Sequence, residues 1–289
     1  VNKAKRKNPQ TPPETLRAAA AIWDDPRETL AQIEARIHDG VPREKLAERA
    51  DAYINTLFSL FPYVTIPLNG VALEIGSGVG TIMEALNRAL IARATPPASI
   101  LGLDISHTMI ERAKERLGTR APYRFLPYDG IDVPMPEASC DLILSVATLS
   151  FIPKPFAYNL LFEVKRVLKP GGFAVLQFLS FRHLPEQETH TPWREEIRRQ
   201  ITGEKAHWHH FYAREELEMV LGTGTGFPYV DIRELGGSYW ACVHLAPVPL
   251  PLDFDPEGYL SLNEDVRAAG VDPARHWQEY GYREGRSWR

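Results

Sequence analysis

The run Val71-Ala72-Leu73-Glu74-Ile75-Gly76-Ser77-Gly78-Val79-Gly80 restricts the fold of this chain more than any other segment. It reads as an apolar strand that runs into three alternating glycines and then into a helical pattern over 81–94. Glycine lets the backbone turn sharply and approach a ligand with no Cβ in the way. The helix that follows offers N–H groups with no intrahelical partner at its start. In open α/β sheets ligands bind outside the carboxyl ends of the strands, where this turn falls. The G-x-G-x-G spacing departs from the G-x-G-x-x-G of dinucleotide sites, and a lone turn of this kind serves equally well as a tight connection.

The same alternation continues downstream. Apolar runs at 100–104, 123–126, 141–146 and 173–179 are separated by amphipathic patterns at 108–117 and 156–168. Strand–helix alternation of this kind predicts an α/β fold, a parallel sheet covered on both faces. Lys169-Pro170-Gly171-Gly172 is read as a stop and turn. Two further strands at 229–235 and 238–245, joined by Gly236-Gly237, read as a hairpin. The expectation is a doubly wound, seven-stranded, mostly parallel sheet with an antiparallel strand at the end. Helical spacing before it, and a short aromatic segment after it, divide the chain into a disordered tail at 1–13, an N-terminal helical cap at 14–69, the sheet domain at 70–246, a Pro-rich linker at 247–252 and a helical module at 253–289.

Two carboxylates stand at the ends of successive strands. Asp104 closes Ile100-Leu101-Gly102-Leu103-Asp104, where it is placed to accept two hydroxyl protons from a ribose. It reads alternatively as a helix N-cap, with Ser106 as the rival cap. Asp129, in Tyr128-Asp129-Gly130, is placed to accept from an adenine amino group, or serves as a turn residue before Gly130.

With these pieces in order, residues 70–180 resemble the class I S-adenosylmethionine-dependent methyltransferases, a Rossmann-like family. Leu73-Glu74-Ile75-Gly76-Ser77-Gly78-Val79-Gly80, Gly102-Leu103-Asp104-Ile105-Ser106, Asp129-Gly130 and Val167-Leu168-Lys169-Pro170-Gly171-Gly172 carry the resemblance. It implies S-adenosylmethionine as cofactor. It makes Glu74 a cofactor-binding residue and places Gly76, Ser77, Gly78 and Gly80 in the turn under the methionine and ribose, with Asp104 on the ribose hydroxyls. Ile105 and Met109 would lie beside the adenine, Asp129 and Gly130 at its edge, and Ser145 near the transferred methyl. Many members of the family carry a His shortly after the fourth strand, where this chain reads Leu149-Ser150-Phe151-Ile152, so that role is not carried over.

Methyl transfer from a sulfonium proceeds largely by alignment, and a hydroxyl acceptor gains further from a base. His207, His209 and His210, in the run His207-Trp208-His209-His210-Phe211-Tyr212, are the base candidates; a packed aromatic cluster is the plainer reading. The histidines lack a carboxylate at helical spacing, so no metal is expected. The module at 253–289 resembles one that recurs in bacterial glycan-handling proteins, which directs the acceptor expectation toward a saccharide hydroxyl or a small metabolite. N- or C-methylation, or a silent cofactor-binding domain, are the alternatives. A net charge of −4 argues against a nucleic-acid partner. Cys140 and Cys242 fall in strands and suggest no disulfide framework. With no apolar run long enough to span a bilayer, a cytoplasmic enzyme is expected; the oligomeric state is not legible.

Overall fold

A computed structural model describes residues 14–37, 45–181, 194, 198, 201–202, 209–251 and 253–288. Its strands are β1 (Val71–Ile75), β2 (Ser99–Asp104), β3 (Tyr123–Pro127), β4 (Cys140–Ser145), β5 (Leu168–Ser180), β6 (Phe211–Tyr212), β7 (Tyr229–Leu235) and β8 (Ser238–His244). They form one sheet in the order β3-β2-β1-β4-β5-β8-β7, with β6 paired to β5. β1 to β6 pair in parallel, and β8 runs antiparallel to both β5 and β7. The doubly wound α/β expectation holds, with two corrections. The sheet has eight strands, because Phe211-Tyr212 extends the tip of β5. The reversed strand lies one place in from the edge, because the Gly236-Gly237 hairpin folds β8 back between β7 and β5.

The strand periodicity of two sends alternate side chains to opposite faces. Ala72, Leu142, Leu144, Phe173 and Val175 join one core. Leu73, Ile75, Ile143, Ala174, Leu176 and Phe178 join the other. The first core is covered by α3 (Leu46–Leu60), α4 (Thr81–Ala92) and α5 (His107–Leu117), the second by α6 (Lys154–Val167) and α7 (Arg214–Glu218). α6 buries Ala157, Leu160, Leu161, Val164 and Val167, one stripe of a 3.6-residue period. The Lys169–Gly172 turn is absorbed into β5 as an irregularity: Cys140 pairs with Leu168 and Leu142 with Phe173, so the intervening residues bulge out.

Before the sheet come α1 (Glu14–Ala21) and α2 (Leu30–Ile37). After it come α8 (Pro256–Leu262), α9 (Glu264–Ala268), α10 (Pro273–His276) and α11 (Tyr282–Glu284). This last group buries Tyr259, Val266, Trp277 and Tyr282 in the same core as α3 and Trp240. Tyr282 stacks edge-on against Tyr63 at 4.6 Å between centroids, and Tyr63 Oη donates to Asp231 Oδ2 at 2.9 Å. His244 Nδ1 lies 2.7 Å from the Ala246 carbonyl, which can only accept, so Nδ1 carries the proton and Nε2 accepts from Tyr282 Oη at 2.9 Å. Burial holds the His244 imidazole near a pKa of about 4, neutral at physiological pH.

Because these helices share a core with the sheet, Trp277→Ala is expected to lower the stability of the whole chain by about 3–5 kcal/mol. Urea unfolding followed by far-ultraviolet circular dichroism should show one transition at lower denaturant. A separate early transition confined to the C-terminal helices would contradict the shared core.

Candidate functional site

At the carboxyl ends of β1 and β2 the chain turns twice, and one side chain fastens both turns. Asp104 Oδ2 accepts from Gly78 N at 2.8 Å, and its Oδ1 accepts from Ser106 N at 2.9 Å. Gly76 and Ser77 donate their N–H groups to the Leu103 carbonyl at 2.8 and 2.9 Å. Gly76 has φ +76°, and a Cβ there would fall 2.2 Å from the Thr148 side chain, so glycine is required by both conformation and space. Ser106, not Asp104, caps α5: its Oγ accepts from Met109 N at 3.0 Å.

These turns border a cavity of about 730 Å³. Glu74, Ser77 and Thr81 reach it, and Glu74 Oε2, Ser77 Oγ and Thr81 Oγ1 are buried without a hydrogen-bond partner among the described residues. Buried polar atoms left unpaired are costly, so three of them on one wall point to a ligand with donors and acceptors of its own. Burial, and then the neighbouring Asp104 charge, hold the Glu74 carboxyl well above the usual carboxylate range. Burial likewise raises Asp104 to about 6, against the opposing pull of the Ser106 and Gly78 N–H groups.

The outer wall of this half comes from the N-terminal segment, through Leu16, Ala20 and Trp23. Asp24 Oδ1 accepts from Thr108 N at 2.8 Å and lies 3.0 Å from Ser106 Oγ. Those hydrogen bonds outweigh burial and keep the Asp24 carboxyl below its ordinary range. Arg112 Nε donates to the Glu28 carbonyl at 3.1 Å, and Ile33 packs on Val79 and Met109. Leu16 also closes on Gly130, where a Cβ would lie 2.6 Å from its Cδ2.

The cavity continues between α3 and the far side of the sheet. Arg49, Tyr53 and Thr56 line it from α3; Gln177 and Leu179 from β5; Ser238 and Trp240 from β8. Tyr53 and Trp240 stand 6.2 Å apart. Gln177 Oε1 accepts from Ala147 N at 2.9 Å and its Nε2 donates to Ser238 Oγ at 3.2 Å. Ala147 is held at φ +52°, a left-handed conformation unusual for a residue with a Cβ.

Of the residues singled out in the sequence, Glu74, Gly76, Ser77, Gly78, Asp104, Ile105, Met109 and His209 line the cavity. Gly80, Asp129, Gly130, Ser145 and His210 do not line it. Gly80 is the left-handed cap of α4. Asp129 turns onto its own loop, where Oδ1 accepts from Ile131 N and Asp132 N, both at 2.9 Å, so the turn reading describes its geometry. Tyr128, its neighbour, is the residue on the wall. Ser145 Oγ is buried and donates to the Ile75 carbonyl. His210 donates its backbone N–H to the Ser150 carbonyl, and burial, then Lys154, push its imidazole pKa down. His207 lies outside the described residues. Sequence reasoning missed Arg49, Thr148, Gln177 and Trp240; the helical pattern predicted α3 but not which of its residues face the sheet tips. Among the described residues no cluster of three potential metal ligands occurs, and no helix is long and apolar enough to cross a membrane.

Comparison with known proteins agrees with this architecture. Residues 73–176 match a methyltransferase-domain family. The chain is 32% identical over 123 residues to a malonyl-[acyl-carrier protein] O-methyltransferase of Marinomonas sp. (strain MWYL1), covering 42% of this chain and 43% of that one. It is 33% identical over 117 residues to a fatty-acid O-methyltransferase of Mycolicibacterium smegmatis, covering 40% of each. It thus spans about half the length, or less, of the curated relatives it matches. In fold it is similar to a SAM-dependent methyltransferase of Aquifex aeolicus, with a TM-score of 0.51 at 17% identity over 76% of this chain and 98% of that one. A putative S-adenosyl-L-methionine-dependent methyltransferase of Methanococcus maripaludis gives 0.50 at 18% identity over 87% and 99%. The sheet order, the glycine turn fastened by Asp104 and the match over residues 73–176 converge on a methyltransferase domain, in a fold similar to that of S-adenosylmethionine-dependent methyltransferases.

Proposed function

We propose that this protein transfers the methyl group of S-adenosylmethionine to an oxygen of a small-molecule acceptor. One observation carries the reading: the polar lining at the tips of β1 and β2 and the α3–β8 lining belong to one continuous cavity, which supports a cofactor and an acceptor held side by side. The residues present suit the cofactor. Glu74 would meet its ammonium group, since a cation against that carboxyl relieves what burial and Asp104 impose. The Ser77 and Thr81 hydroxyls, at the start of α4, suit its carboxylate. Asp104 retains acceptor capacity for ribose hydroxyls beyond its two backbone bonds. Leu16, Trp23 and Met109 give apolar cover to the base.

When bound, the sulfonium supplies an activated methyl group whose leaving thioether needs no proton. The chain's own part is alignment and exclusion of water, worth about 7–11 kcal/mol of barrier when reactants are well placed. For a hydroxyl acceptor, His209 is the base candidate on the wall, its ring 4.9 Å from that of Phe151. The names of the malonyl-[acyl-carrier protein] and fatty-acid relatives support an oxygen acceptor. The saccharide expectation rests on the C-terminal module, and no described residue of 253–288 lines the cavity. That module is read instead as support for the wall, through the core it shares with α3 and Trp240.

Titration of S-adenosylhomocysteine by calorimetry tests the cofactor half. Asp104→Ala is expected to lose roughly 1.5–3 kcal/mol of binding. Asp104 is ionised above about pH 6 and protonated below it. Wild-type affinity should therefore weaken as the pH falls through 6, by up to about tenfold per unit. Asp104→Asn should flatten the part of the dependence centred near pH 6, while the part carried by the Glu74 carboxyl against the ammonium group remains. Transfer itself is tested with methyl-labelled cofactor and a panel of glycans, acids, quinols and carrier-bound acyl groups. Label on nitrogen or carbon, or bound cofactor with no product from any acceptor, would refute the oxygen reading.

A further inference from the structure

We infer that Trp23 is a positioning residue for transfer: through Phe151 it ties the N-terminal segment that covers the cofactor half to the imidazole of His209. This rests on the methyltransferase reading above and on His209 as its base. Three rings on the cavity wall make the connection. Trp23 meets Phe151 edge-on, with 5.4 Å between centroids at 75°, and Phe151 meets His209 at 4.9 Å. They come from three distant parts of the chain. Trp23 stands in the turn after α1, Phe151 ends the single helical turn Leu149–Phe151 that follows β4, and His209 lies just before β6. On the His209 side the backbone is fixed to the sheet: His210 N donates to the Ser150 carbonyl at 2.7 Å, Tyr212 Oη to the Leu149 carbonyl at 3.4 Å, and β6 pairs with β5. Those bonds place the residue and leave the imidazole its side-chain torsions. Contact with a neighbouring ring, which favours particular geometries, then bears on where its nitrogens point.

The Trp23 side is held differently, by polar tethers spaced along one side of α5. Ser106 Oγ donates to the Trp23 carbonyl at 2.8 Å, Thr108 N to Asp24 Oδ1, and Arg112 Nε to the Glu28 carbonyl; Arg116 Nε lies 3.6 Å from Glu34 Oε1. Ile33 of this segment packs with Val79 and Met109 in a small cluster of its own, apart from the two cores of the sheet. An element with so little apolar burial opens at lower cost than the body it lies on. Leu16, Ala20 and Trp23 wall the cofactor half, so a ligand there gains contacts from the closed segment that an open one does not offer, and favours closure. Closure seats Trp23 against Phe151, and with it the ring on which His209 rests. In transfer the acceptor hydroxyl gives its proton to the His209 imidazole as its oxygen forms the O–CH₃ bond. The CH₃–S bond breaks with its electron pair on sulfur, leaving S-adenosylhomocysteine, the methyl ether or ester and an imidazolium. A base displaced by about 1 Å costs up to about 100-fold in rate, so cover and base order are gained in one movement.

The test reads the imidazole directly. The full chain is labelled with ¹³C-histidine, and the His209 ring resonance is identified by its loss in His209→Gln. Saturating S-adenosylhomocysteine is expected to shift and sharpen that resonance in the wild-type protein. Trp23→Ala should bind the ligand roughly 10–100-fold more weakly, for the apolar cover it loses, and its His209 resonance should no longer respond once the ligand is saturating. Trp23→Phe should restore part of the response. Because Trp23→Ala alters the cofactor cover as well, Phe151→Leu is measured beside it: it keeps the indole over the cofactor half, and should bind the ligand as the wild type does and lose the response. With the acceptor that takes label in the panel above, both variants should lose roughly 10–100-fold in kcat at saturating cofactor. A response kept in Phe151→Leu, or in a Trp23→Ala protein that binds the ligand, or absent from the wild type, would overturn the inference. Unchanged turnover in His209→Gln would instead remove the base reading beneath it, and failure of the wild-type protein to bind S-adenosylhomocysteine at all would remove the methyltransferase reading.

Discussion

A carboxylate that takes one N–H from each of two neighbouring turns does what no apolar contact could: it fixes their relative position to within a hydrogen bond. Asp104 holds Gly78 N and Ser106 N together, so the loop after β1 and the start of α5 are set as one unit. Around that unit the rest of the site is arranged. Ser106 caps α5 and lies against Asp24, which brings the N-terminal segment over the cavity; Met109, one turn on, packs with Ile33. The arrangement leaves Asp104 buried at the cavity wall with a raised pKa, and its low-dielectric surroundings strengthen the hydrogen bonds a ligand would make there.

The sequence carried the strand and helix pattern because burial on both sides of a parallel sheet demands it. Leu73, Ile143 and Leu160 are apolar for reasons visible one residue at a time. The glycine turn was legible for the same local reason: Gly76 sits at φ +76° against Thr148. Asp129 shows the limit. A carboxylate before Gly130 is equally at home on a ligand and on its own loop, and only the three-dimensional path, which puts Tyr128 on the wall, separates the two. Arg49, Gln177 and Trp240 escaped sequence reasoning because they meet through packing between elements far apart in the chain. Ala147 escaped it because alanine gives no turn signal, its left-handed conformation being imposed by neighbours such as Gln177.

The histidine run illustrates how one segment divides its roles. Phe211 and Tyr212 add a strand to the tip of β5, and Tyr212 is fully buried against Phe178. That pairing fixes where the preceding residues fall: His209 reaches the cavity and His210 is turned toward the Ser150 backbone. The C-terminal helices act at one remove. Tyr282 buttresses Tyr63 in the turn after α3, and the core it joins includes the Trp240 ring that forms part of the wall.

Gln177 spends both ends of its amide inside the wall, on Ala147 N at the tip of β4 and on Ser238 Oγ at the start of β8. Three strands are thereby braced into a frame before any acceptor arrives. Side-chain and loop ordering that a looser wall would undergo at encounter has already been met in folding. A wall braced in this way favours sorting of ligands by shape over adjustment around them.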